Sequence, residues 1–168
     1  MKQIKLLSIL FIALFVGSCS SSKTPTSKKP EGIGKMVYQF LQEVTTKEMS
    51  ELREFYIDSK ELAEFVTQNF EEGSKSKLTD LVKNEEWEEY VGDRLNELRK
   101  NAASLGIEWE EAIYLDYIYK YSEKDKLYHG ELFFKSNSDV FAVMIHSIEQ
   151  GGKYKVFGIE KVKKLNRV

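Results

Sequence analysis

The chain has 168 residues, with 25 lysines and arginines against 27 acidic residues, and its formal net charge is −2. Acids and bases are interspersed, so no basic face is expected that would hold a phosphate backbone, and no nucleic acid partner is predicted. The single cysteine, Cys19, excludes an intramolecular disulfide.

The N-terminal segment is typical of an export signal. Lys2 and Lys5 precede an apolar run at residues 6–16 and small residues follow it. The run is far shorter than the roughly 20 apolar residues that span a bilayer. Residues 16–19, Val-Gly-Ser-Cys, resemble the lipobox of bacterial lipoproteins, which implies cleavage before Cys19 and a diacylglyceryl group on its sulfur. An ordinary secretory peptide with an incidental cysteine is the alternative.

Cleavage before Cys19 would leave 150 residues, enough for one domain. Loss of Lys2 and Lys5 takes the formal net charge from −2 to −4. Two acyl chains hold a protein stably on a membrane, so the expected location is the bacterial cell envelope, with the outer membrane favoured. The predicted organisation is a signal peptide at 1–18, a lipidated, disordered tether at 19–32 and one domain at 33–168.

Helical spacing of apolar residues begins at Ile33 and predicts a first helix that ends near Thr45. Thr45 and Glu48 match a capping box and predict a short second helix. Asp58 and Glu61 repeat the pattern and predict a third.

The longest helix is predicted over residues 78–105, with Gly106 closing it. Four glutamates around Trp87 suggest a metal or acid cluster, but most fall on the solvent side of the apolar stripe. A solvated helix face is therefore the favoured interpretation.

After Gly106 the apolar period changes from 3.6 to 2, and four strands are predicted at 110–121, 127–136, 139–149 and 153–163. Short polar turns separate them. The predicted fold is α+β, with N-terminal helices, including one long helix, packed on a curved four-stranded antiparallel meander.

Tight turns at the three junctions predict that one face of this sheet is apolar and aromatic. Its two central rows are predicted to be Tyr119, Gly130, Ile145, Gly158 and Tyr117, Leu132, Val143, Glu160. Space above the glycines would form a pocket for a small apolar ligand. Alternatively, the tyrosines fill that space and Glu160 is solvated. The candidate ligand-binding residues are Tyr117, Tyr119, Tyr121, Gly130, Gly158 and Glu160.

The other face is predicted to carry His129 directly opposite His146, with Glu131 nearby. Opposed Cβ atoms lie about 5 Å apart, but two histidines and one carboxylate make an incomplete metal set, and no metal or cofactor is predicted. An apolar strip on the same face favours contact with a second copy or an envelope protein. The candidate contact residues are His129, Met144, His146, Ile148, Phe157 and Ile159, and Val140 belongs to the same strip.

The element order, together with the segments YLDYIYKYS, LYHGELFFKS and YKVFGIEKV, resembles the nuclear-transport-factor-2-like, ketosteroid-isomerase-type superfamily, or the related cystatin-like topology. The resemblance covers residues 33–165. It implies a cone-shaped sheet that can hold a small ligand, and dimers formed through the outer sheet face.

Function is predicted from these features together. The leading hypothesis is a lipid-anchored, non-enzymatic domain that binds a protein partner or a small apolar ligand. One alternative is an isomerase or dehydratase that uses Glu160 as a base and a tyrosine as a hydrogen-bond donor. Another is an inhibitor or immunity protein that acts through the outer strip or a sheet edge. The chain has no Gly-x-Ser-x-Gly turn to support nucleophilic catalysis.

Overall fold

A computed structural model describes residues 24–71, 73–74 and 76–165, and Cys19 lies outside them. Within these residues, helices precede one antiparallel sheet, which confirms the predicted α+β class. The elements are α1 (Glu31–Glu43), α2 (Met49–Arg53), α3 (Ser59–Asn69), α4 (Lys77–Lys83), α5 (Trp87–Ser104), β1 (Ile113–Ser122), β2 (Leu127–Ser136), β3 (Asp139–Gln150), β4 (Lys153–Ile159) and β5 (Lys163–Leu165).

Local hydrogen bonds set the starts of the short helices. The Asp58 carboxylate accepts from the backbone N–H of Glu61 at 2.8 Å, so the predicted cap of α3 is confirmed. The predicted capping box of Thr45 and Glu48 is wrong. Thr45 lies in the turn that ends α1, while Glu48, with an extended backbone, takes the N-cap position of α2 without a side-chain bond.

The predicted long helix is two helices, α4 and α5. The break contains Glu85, whose φ of 58° lies in the left-handed region. Trp87 follows the break and is buried, and its indole N–H donates to the Ile57 carbonyl at 2.8 Å. The break therefore lets an aromatic side chain enter the core. The glutamates on either side of Trp87 are exposed, as the solvated-face interpretation predicts.

The sheet order is β1-β2-β3-β4, and β5 pairs with the first half of β3. The registers of the first two hairpins are confirmed at Tyr119 opposite Gly130 and at His129 opposite His146. A β-bulge at Leu115 interrupts the first hairpin, and beyond it Tyr114 opposes Phe134.

The third hairpin departs from the prediction. A register shift at His146 and Ser147 puts Gly158 opposite His146 and Ile159 opposite Ile145. Phe157 is the extra residue in β4 at this bulge, and its ring stacks on Trp87 with centroids 5.1 Å apart. Packing of one aromatic side chain has therefore exchanged the faces of the residues that follow it.

The core lies between the inner face of the sheet and the helices. The backbone of α1 approaches the sheet so closely that a Cβ on Gly34 would lie 2.4 Å from the ring of Tyr117. Helix α3 contacts β4 through an ion pair of 2.5 Å between Glu61 and Lys155. No helix of the described residues is long and apolar enough to cross a membrane.

Part of the predicted tether is attached to this domain. Ser27 forms an antiparallel bridge with Tyr154, with N···O distances of 2.9 and 2.8 Å. The Thr24 hydroxyl donates to the Tyr56 carbonyl at 3.1 Å. Thr24 and Ser27, which the sequence analysis assigns to the tether, thus contact the domain.

Candidate ligand site

A cleft of about 550 Å³ lies where α4 and α5 meet β4 and the turn between β1 and β2. These four segments are distant in sequence, and the fold brings them together. The apolar and aromatic lining consists of Phe70, Leu78, Tyr90, Leu127, Phe157 and Ile159.

Aromatic rings connect the core to the wall of the cleft. Phe157, Trp87 and Tyr90 form one cluster, with centroid distances of 5.1 Å from Phe157 to Trp87, 6.3 Å from Phe157 to Tyr90 and 5.6 Å from Trp87 to Tyr90. Two cations lie over the outer ring, since Lys77 Nζ is 4.5 Å and the Arg94 guanidinium carbon 5.4 Å from the Tyr90 centroid. The packing of Phe157 and Trp87 against Tyr90 thus holds this aromatic wall in place, and Lys77 and Arg94 lie beside the Tyr90 ring.

Four polar side chains cross the floor of the cleft in one chain of contacts. His129 Nδ1 lies 2.8 Å from His146 Nδ1, and His146 Nε2 lies 3.1 Å from a Glu160 oxygen. At the other end, His129 Nε2 is 3.6 Å from an Asp125 oxygen. The antiparallel register places the histidines opposite each other, and the bulge of β4 brings Glu160 to the same face.

Proton counting constrains this chain. Its two hydrogen bonds, between the two Nδ1 atoms and from His146 Nε2 to Glu160, each need one N–H, and two neutral imidazoles supply these two. A proton on both Nδ1 atoms would break the Nδ1···Nδ1 bond, because both atoms would then be donors. Burial lowers the pKa of His146, an effect that the hydrogen bond it donates to the Glu160 carboxylate partly opposes. The arrangement therefore favours a neutral His146 that accepts from His129.

The residues predicted for the inner pocket do not line this cleft together. The ring of Tyr117 fills the space above Gly130, where an added Cβ would lie 2.1 Å from the tyrosine oxygen. Burial raises the pKa of the Tyr117 hydroxyl. Tyr119 donates to Glu31 at 2.7 Å at the edge of the sheet, and Tyr121 is largely exposed. The space above Gly130 is therefore filled by Tyr117 and forms no ligand pocket, which corrects the prediction.

Gly158 and Glu160 do line the cleft, but on the face opposite to the predicted one. Glu160 is half-exposed and pairs with His146. The isomerase hypothesis required Glu160 as a buried base beside the tyrosines, and the register shift separates it from them.

The predicted contact strip is also corrected. Ile148, Phe157 and Ile159 are buried within the chain, and Phe157 stacks on Trp87 of α5. Met144 remains partly exposed, as do the two histidines, which now belong to the cleft. The strip is therefore not a continuous apolar surface.

Sequence reasoning missed the helical side of the cleft. Tyr90 and Arg94 are four residues apart on α5, a spacing that places both on one helix face and that the sequence shows directly. Lys77 and Phe70 flank a polar segment that carries no such signal. Within the described residues, no three His, Cys, Asp or Glu side chains are grouped so that they could hold a metal ion.

The fold and the cleft together define an α+β protein with a helical layer on an antiparallel meander and a mixed apolar and charged site at the edge of the sheet. Comparisons with protein-family models, with curated proteins and with solved structures find no match.

Proposed function

We propose that this chain is a lipid-anchored protein of a bacterial envelope, without enzymatic activity, that binds a small and mostly apolar ligand in the cleft. The observation that carries the proposal is the cleft itself, about 550 Å³ in volume, with aromatic walls and a few convergent polar groups. Sites for small molecules in proteins commonly have this size and composition.

Charge indicates the chemical class of the ligand. Four cationic side chains line the cleft against two carboxylates, in a chain whose formal net charge is −2. An apolar molecule that ends in a carboxylate would place its hydrocarbon on Phe157 and Tyr90 and its charge near Arg94 or Lys77. The cations are Lys77, Arg94, Lys161 and Lys163.

Thermal unfolding with defined probes tests this proposal. Decanoate and 2-naphthoate should raise the melting temperature, because a ligand that binds only the folded state stabilises it, while decanol and 2-naphthol should raise it less. Arg94→Glu should abolish the preference for the carboxylates. Lys135→Glu removes an exposed cation outside the cleft and serves as the matched control. The proposal fails if no probe shifts the melting temperature or if both variants respond alike.

The anchor needs a separate experiment. Metabolic labelling with an alkyne-bearing palmitate should mark the protein in the membrane fraction, and Cys19→Ser should remove both the label and the membrane association. An unlabelled wild-type protein in the soluble fraction would reject the lipid and favour an ordinary secretory peptide. The result is independent of ligand binding.

The resemblance to cone-shaped superfamilies remains part of the proposal, and it agrees with a small-molecule role. Binding of an envelope protein, as a partner or as an inhibitor or immunity protein, is the second hypothesis from the sequence. The cleft favours the small ligand, since its apolar lining is recessed between α5 and β4 rather than displayed on a flat face.

A further inference from the structure

Strand β1 leaves one edge of the sheet free. It pairs with β2 on one side, and no strand among residues 24–71, 73–74 and 76–165 pairs with its other side. Asp116, Ile118 and Lys120 lie on one face of this strand and are exposed, with Ile118 61% accessible. An exposed edge with a central apolar side chain is a template for pairing with another strand.

One hydrogen bond shows which backbone groups point away from β2. The N–H of Tyr117 is held by the carboxylate of its neighbour Asp116 at 2.8 Å, which indicates that this N–H points to the free edge. Since backbone groups alternate along a strand, Tyr119 and Tyr121 also present theirs there. The side chain of Asp116 thus occupies a position that a second strand could take.

We propose that two copies of this chain associate through β1, in antiparallel register about a two-fold axis, with Ile118 opposite Ile118 of the second copy. Asp116 of each copy then faces Lys120 of the other, so two ion pairs flank the central isoleucines. The inward direction of the Ile118 backbone makes the central pair a non-hydrogen-bonded one, in which opposed side chains are closest. Tyr117 and Tyr119 of the two copies supply the backbone bonds.

Charge selects this register over its neighbours. A two-fold axis at Asp116 would oppose two aspartates, and one at Lys120 would oppose two lysines. Axes at Tyr117 or Tyr119 would set Ile118 against a charged residue. Only the axis at Ile118 pairs opposite charges on both sides of an apolar contact.

Association leaves neither the Tyr117 N–H nor the Asp116 carboxylate without a partner. In the single chain, the Asp116 carboxylate satisfies the Tyr117 N–H. In the pair, that N–H donates to the carbonyl of Tyr119 of the second copy, and the released carboxylate meets a lysine. The β-bulge at Leu115 limits straight pairing to the part of β1 that contains this pattern.

Charge reversal tests the register by sedimentation equilibrium of the full chain in detergent. Asp116→Lys and Lys120→Asp should each weaken association by about tenfold or more, because each variant opposes like charges twice. The double variant, Asp116→Lys with Lys120→Asp, should restore association. Both side chains are exposed, so the folded state should persist, and circular dichroism checks it.

Disulfide formation tests the central contact. In a Cys19→Ser background, Ile118→Cys should form a dimer on mild oxidation, since the same position faces itself across the axis. Lys120→Cys, which faces Asp116, is the matched control and should react more slowly. A wild-type chain that is monomeric, a double variant that fails to restore association, or equal oxidation of the two cysteine variants would overturn the proposal.

Discussion

Glycine at position 130 is required by the ring that lies over it. An added Cβ would lie 2.1 Å from the oxygen of Tyr117, whereas at Gly158 the nearest side-chain atom, from His146, is 3.5 Å away. The two positions are in neighbouring parts of one sheet but differ in what covers them.

Gly130→Ala should therefore lower the free energy of unfolding by about 1–3 kcal/mol, because the buried Tyr117 must move. Gly158→Ala, the matched control, should leave it unchanged or raise it by up to about 1 kcal/mol. Urea denaturation of both variants measures the difference. Equal effects would mean that Tyr117 does not fill the space.

His146 should make stability depend on pH. Its folded pKa lies below the usual 6.5, chiefly because it is buried. As the pH falls below 6.5, the unfolded chain binds a proton that the folded chain does not, so the contribution is intact at higher pH and decreases as the pH falls. Stability at about pH 5 should thus be lower than at about pH 7.5.

The comparison variant is His146→Gln, which cannot titrate. Its free energy of unfolding in urea should fall less between these two pH values than that of the wild type. The charged groups that face His146, which are His129, Asp125, Glu160 and Lys77, are present in both proteins, so the difference between the two slopes reports on His146. Identical slopes would contradict a lowered pKa.

At the level of elements, two similar sequence patterns, Thr45 with Glu48 and Asp58 with Glu61, differ in structure, because only the second caps a helix. Asp58→Ala should destabilise the chain by about 0.5–2 kcal/mol, because it leaves an N–H at the start of α3 without its acceptor. Thr45→Ala should have almost no effect, since α2 begins after Glu48 and not after Thr45. Thermal unfolding of the two variants compares them. A large loss of stability in Thr45→Ala would instead support the predicted capping box.

The two outcomes show how far local sequence could predict the elements. Asp58 has Glu61 three residues later and accepts a hydrogen bond from its backbone N–H, so the local pattern was sufficient to predict this cap. Thr45 lies in the turn that ends α1, so it is not the N-cap of α2, which follows Glu48. The split of the predicted long helix at Glu85 was equally invisible, because the break is stabilised by burial of Trp87 against distant residues.

The same distinction holds for the site. The pairing of His129 with His146 could be predicted, since alternation and a tight turn determine the register of the β2–β3 hairpin. The position of Glu160 could not, because the bulge at Phe157 depends on tertiary packing with Trp87. A single extra residue in β4 moved Glu160 from the expected inner pocket to the cleft.

For the whole molecule, the ion pair between Glu61 and Lys155 joins the helical layer to the sheet. Their charged atoms are 2.5 Å apart, and the Lys155 side chain is 10% accessible. Lys155→Met should destabilise the chain by about 1–3 kcal/mol, since it leaves a carboxylate partly buried without its cation.

The double variant, Lys155→Met with Glu61→Leu, should regain much of that loss, because no unpaired charge remains. Urea denaturation of both single variants and the double variant gives the coupling between them. Strictly additive losses would mean that the two side chains do not stabilise each other.

The bonds of Thr24 and Ser27 to the domain limit how far it could stand from the proposed lipid on Cys19. Five peptide steps separate Cys19 from Thr24, and fully extended they reach about 17 Å. With acyl chains on Cys19, the domain would lie almost against the lipid headgroups instead of standing away from the membrane on a long tether. Fatty molecules leaving the bilayer would then have only a short path to travel before they met it.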